Sequence, residues 1–134
     1  MNTSEDTGKL ILRLALGILI LLHGVSKIIG GIDPIVGLVV KARLPASVAY
    51  LVYIGEVVAP VMMIVGVWTR AAGVVIAINM VVAAMLAHAH QIFTLSKTGG
   101  WALELQGMFF FAALAVALLG AGRLSMGGIN GRLN

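Results

Sequence analysis

The sequence predicts an all-α membrane protein: an antiparallel four-transmembrane-helix bundle with a short interfacial segment between helices 1 and 2. Three observations carry that class. Hydrophobic side chains make up 60% of the 134 residues and charged ones 10%, with a mean hydropathy of +1.08, whereas soluble domains carry roughly 25% charged residues. The apolar residues collect into four stretches, 10–29, 46–68, 71–90 and 101–119, each close to the ~20 residues that cross a bilayer as a helix. The remaining segments are too short to fold separately, so residues 1–134 are expected to form a single integral membrane domain.

The first span follows eight polar residues that read as loose. Its run from Leu10 resembles the core of a secretory signal, but it continues into His23 and Lys27 without a small-residue cleavage site, and three more spans follow. Gly30, Gly31 and Pro34 then break the helix. Residues 35–40 are apolar but too few to cross, and Lys41, Arg43 and Pro45 follow, which suits a segment lying at the interface or folded back over the bundle mouth. Spans two and three are separated by Thr69-Arg70 alone and must form a tight hairpin. Pro60, inside span two, deprives the Glu56 carbonyl of its helical partner and predicts a kink there. Gln91–Gly100 is a polar connection, and Gly120 and Gly122 end span four before a Gly-rich, irregular tail. Trp68 and Trp101 fall at opposite interfaces.

Composition also excludes function classes. The net charge is +4, but the nine Lys and Arg residues are dispersed, mostly at the ends of apolar runs where cations anchor helices at headgroups. No basic cluster with interleaved aromatics is present, so the partner is the lipid bilayer and not nucleic acid. The absence of cysteine removes disulfides, thiolate chemistry and iron–sulfur ligation by this chain. The expected location is a bacterial or archaeal plasma membrane, multi-pass, with both termini on one side. Lys9, Arg13, Arg70, Arg123 and Arg132 on that side against Lys27, Lys41, Arg43 and Lys97 on the other favour the cytoplasm only slightly.

Ionisable residues inside apolar spans cost about 2.5–3.5 kcal/mol each and mark function by default. His23 and Lys27 are four apart in span one, Glu56 lies about ten residues into span two, His88 and His90 close span three, and Glu104 and Gln106 open span four. At about 1.5 Å per residue, Lys27, Glu104 and His88 sit within roughly 5 Å of the span ends, His23 and Gln106 about 8–10 Å deep, and Glu56 about 15 Å deep. All share one half of the membrane. That predicts a polar cavity opening toward the longer loops with Glu56 at its floor, needing a cation, proton or donor from Lys27 or His23. Each residue has a structural alternative: an interhelical hydrogen bond for Glu56, a carbonyl partner for His23, snorkelling for Lys27, an interfacial position for His88 and a first-turn role for Glu104 and Gln106. No metal site is predicted. Gly17 and Gly24 are spaced for close helix approach.

These residues fall into an ordered set of motifs: His23-Gly24-x-x-Lys27-x-x-Gly30; Gly55-Glu56-Val57-Val58-Ala59-Pro60; Gly66-Val67-Trp68-Thr69-Arg70-Ala71; Gly99-Gly100-Trp101-x-x-Glu104; and Gly120-Ala121-Gly122-Arg123-Leu124-Ser125. With them the chain resembles the DoxX family of small four-helix bacterial membrane proteins, from about Lys9 to Ser125. The resemblance implies quinone-linked chemistry in a membrane redox complex, at most as the membrane subunit of a quinone-dependent oxidoreductase. No cofactor motif stands in the chain itself, so a bound quinone and a redox partner protein are the expected associates, with a homo-oligomer as a further one. Quinone reduction delivers protons to carbonyl oxygens, which assigns His23 as donor, Glu56 as proton-exchanging group and Lys27 as its charge partner, with His88, Glu104 and Gln106 as ligand-binding or relay groups. The alternatives are a proton-coupled small-solute carrier or channel and a non-catalytic membrane scaffold.

Overall fold

The computed structural model describes residues 3–134, and each predicted span is largely helical. Helix α1 covers Thr3–Gly30. It therefore begins seven residues before the predicted start at 10, and most of the polar leader is helix. Hydropathy does not register this extension, but Glu5 and Asp6 favour the positive end of a helix, and Asp6 is tied to Arg123 at 3.0 Å.

Helix α2 (Asp33–Lys41) is the predicted short segment, with Pro34 in its first turn, Asp33 at its start and Lys41 at its end. Helix α3 (Ala46–Val65) is continuous but irregular: a 3-10 stretch over Ala46–Leu51, a π-helical turn over Ile54–Val58 and α-helix over Ala59–Val65. It stops at Gly66, whose φ of 80° lets its own N–H and that of Val67 both reach the Met62 carbonyl, at 2.8 and 3.0 Å.

Helix α4 (Thr69–Ala87) starts earlier than predicted, so the hairpin turn is Gly66–Trp68 and Thr69-Arg70 is its first turn. It also ends before His88. Helix α5 (Glu104–Leu119) begins three residues later than predicted, because Trp101 pairs with Leu95 and donates its indole N–H to the Ile92 carbonyl at 2.7 Å, which holds residues 92–101 as a closed loop.

Helices α1, α3 and α4 are each long and apolar enough to cross a membrane, and α5 is a shorter apolar helix of 16 residues. All four contribute to one core, in which Leu16 and Ile20 of α1 meet Met63 of α3, Ile76 of α4, and Ala113 and Val116 of α5. Glycines permit the close contacts. A Cβ on Gly73 would stand 2.7 Å from the Ala113 carbonyl, and one on Gly17 2.7 Å from Ile64.

One end of the helices is tied by polar caps. Arg13 donates to the carbonyls of Met63 (2.8 Å), Ile64 (2.9 Å) and Leu124 (2.5 Å), while Arg70 reaches those of Ala117 (3.1 Å) and Leu118 (2.5 Å) at the end of α5. The tail is irregular, as expected, but pinned: Thr69 N–H donates to Asn134 Oδ1 at 3.0 Å and Arg70 N–H to the Leu133 carbonyl at 2.7 Å.

Candidate functional site

At the middle of α3, Glu56 sits in the π turn beside Pro60. The proline has no N–H to give the fourth residue before it, and the local answer is a widened turn in which the Ala59 N–H reaches the Ile54 carbonyl. π turns of this kind recur at functional sites because they displace a side chain from the regular helical face. Glu56 is only 7% exposed. Its charge is met by Lys27 of α1, whose Nζ donates to Oε1 at 2.9 Å and lies 2.6 Å from Oε2; Oε2 is held by charge and not by a directed hydrogen bond. Tyr53, one turn before Glu56, donates its hydroxyl to the Lys27 carbonyl at 3.2 Å, fixing the end of α1 against α3.

The Lys27–Glu56 pair forms one wall of a cavity of about 510 Å³ enclosed by α2, α3 and α4. The size is that of a small-molecule site. Apart from Lys27, Glu56 and Asn79, its side chains are aliphatic, supplied by Ile35, Leu38 and Val39 of α2 and by successive residues of α3 and α4. Leu51 and Ile54 of α3 and Ile78 and Val82 of α4 line the cavity and are themselves exposed. The mouth is therefore apolar and opens sideways, between α3 and α4.

The cavity is thus largely apolar and not the generally polar one the spans suggested. Of the predicted residues, Lys27 and Glu56 meet in it. His23 does not line it: the residue is exposed beside α5, its imidazole edge-on to Phe109 with ring centres 6.0 Å apart. His88 follows the last residue of α4 and pairs through Nδ1 with Gln91 Oε1 at 2.8 Å. Glu104 is exposed at the start of α5, and Gln106 lines a separate apolar pocket of about 250 Å³ with Trp101 and Phe110. Asn79 is not among the candidate residues the sequence reading names; the signal that singles it out is its depth, in the middle of α4 and packed against Gly55 of α3.

Residues 8–89 match the family model for DoxX. The chain belongs to the DoxX family. A Bacillus subtilis protein named "Putative oxidoreductase CatD" is 32% identical over 81 residues, a match that spans 60% of this chain and 60% of that relative. No solved structure matches the chain. The part matched by the DoxX model runs from α1 to the end of α4 and so contains every residue lining the cavity, whereas Glu104, Gln106 and the rest of α5 lie beyond it. Family and apolar helices together make this a membrane protein.

Proposed function

We propose that this DoxX protein is a quinone-binding membrane subunit of a redox complex in the bacterial plasma membrane, with α1, α3, α4 and α5 crossing as an antiparallel four-helix bundle and both termini on the cytoplasmic side. The observation that carries the reading is the Lys27–Glu56 pair in the wall of an otherwise aliphatic cavity with a sideways mouth. An ionisable pair at that depth is costly to maintain as packing alone. A sideways apolar mouth suits a ligand that already lives in the bilayer, with a small polar head and a hydrocarbon tail, and a quinone is such a ligand.

Reducing a quinone takes two electrons and two protons, the protons ending on its carbonyl oxygens. The electrons come from a cofactor-bearing partner protein. Lys27 and Glu56 supply the proton path: the ammonium orients the carboxylate and carries a hydrogen-bonding proton, and Glu56 accepts and releases protons between the partly exposed Lys27 and the cavity. His23, exposed beside α5 and outside the cavity lining, would meet a partner and not the cavity ligand. The relative's name, an oxidoreductase, fits this reading.

Membranes from cells lacking the native protein and supplied with Glu56→Gln should lose quinone-dependent electron transfer while retaining the inserted chain. Unchanged turnover overturns the proposal. Proton-coupled solute flux through liposomes without any electron donor would replace it with the carrier reading.

A further inference from the structure

We propose that Asn79 is the residue that grips the quinone head, its side-chain amide donating a hydrogen bond to a ring carbonyl from the α4 wall of the cavity that the Lys27–Glu56 pair also lines; the inference rests on the quinone reading above. Lys27, Glu56 and Asn79 are the three polar side chains lining the cavity. The first two satisfy each other. Asn79, in the middle of α4, is half-buried and makes no hydrogen bond among the described residues. An amide left without a partner in apolar surroundings is unfavourable by roughly 1–3 kcal/mol on mutational scales, so an interhelical clamp does not explain it.

Gly55 adds an independent observation. A Cβ at that position would lie 2.5 Å from Asn79 Cγ and 2.7 Å from Oδ1. The missing side chain beside Glu56 is therefore the space the Asn79 head group uses, and the carboxylate and the amide come from adjacent positions on facing helices. A quinone ring has two carbonyl oxygens, and a head seated in this cavity can present one of them to the amide. The amide brings no charge into the cavity, and because it both donates and accepts it can bind the carbonyl of the oxidised form and the hydroxyl of the reduced form. Neither a lysine nor a carboxylate offers both.

The test is equilibrium binding of decylubiquinone, its quinol and decylbenzene to the purified full chain in detergent. Asn79→Leu should weaken quinone and quinol alike by about tenfold, the loss of one buried hydrogen bond, and leave decylbenzene, which has the tail and ring but no oxygens, unchanged. Gly55→Ala, which displaces the amide without altering it, should reproduce the same pattern and serves if Asn79→Leu does not fold. Equal quinone affinity in both variants, or an equal loss for decylbenzene, overturns the assignment of Asn79 while leaving the quinone site standing. A wild-type chain that binds no decylubiquinone overturns the quinone reading itself.

Discussion

Arg13 is the most deeply buried charge in the protein, 1% exposed, and its guanidinium collects three carbonyls that no helix would otherwise satisfy. Two belong to the last turn of α3, where the final C=O groups lack intrahelical partners, and the third to Leu124. Arg13→Met keeps most of the stem but leaves those acceptors unpaired. It should lower unfolding stability in micelles by about 2–4 kcal/mol, at about 1–3 kcal/mol for the one buried acceptor and less for each of the two partly buried ones, while decylubiquinone affinity is retained, since Arg13 does not line the cavity. A melting temperature equal to wild type would show that the guanidinium is dispensable. The sequence placed Arg13 at a membrane rim, because its partners lie 50 to 111 residues away and a helical repeat carries no trace of them. Glu56 and Lys27 were legible for the opposite reason: an ionisable group inside an apolar run is visible from its neighbours alone. His23 was assigned with Lys27 because they are four apart, but at 3.6 residues per turn that spacing leaves about 40° between them, enough to turn one toward Phe109 of α5 and the other toward the cavity.

The irregular helix α3 shows how an element can be built around a missing donor. Pro60 predicts a disturbance at Glu56, and continuous apolar stretches made the helix ends legible to within three residues, except at the start of α1, where the extension is polar. The form of the disturbance was not legible, since a π turn depends on what packs against it. Gly24 of α1 is that contact: a Cβ there would collide with the Glu56 carbonyl and crowd Val57. The bare glycine lets α1 lie on the very backbone group that Pro60 leaves free. Gly24→Ala should therefore force α1 and α3 apart and reduce stability by about 1–3 kcal/mol, the usual consequence of overpacking. Gly8→Ala, in the same helix with nothing within 4 Å of the new methyl, should instead stabilise by about 0.5–1 kcal/mol through helix propensity. Denaturant unfolding of the two variants in the same micelle checks both signs; a Gly24→Ala chain as stable as Gly8→Ala would mean the close approach is not required.

For the whole molecule, the path of α5 decides the architecture. Its 16 residues span about 24 Å at 1.5 Å per residue, less than the ~30 Å hydrocarbon core, and hydropathy over so short a helix does not settle whether it crosses. The polar caps give the stronger argument. Residues 88–103 leave from the end of α4, yet beyond α5 the tail returns to the start of α4, where Asn134 Oδ1 receives the Thr69 N–H and Leu133 the Arg70 N–H. The end of α5 is held to the start of α4 by Arg70, through the Ala117 and Leu118 carbonyls, while residues 88–103 join its start to the other end of α4, so α5 runs antiparallel along α4; the four crossings proposed above then require the bilayer to thin or side chains to snorkel over the deficit. Because the native chain has no cysteine, single substitutions report sidedness without background. Lys97→Cys and Arg132→Cys should react with a membrane-impermeant maleimide from opposite faces, one in intact cells and the other only in inverted vesicles, and Gly8→Cys should follow Arg132→Cys. Labelling of Lys97→Cys and Arg132→Cys from the same face would reduce the crossings to three and require the tail contacts with α4 to be broken in the membrane.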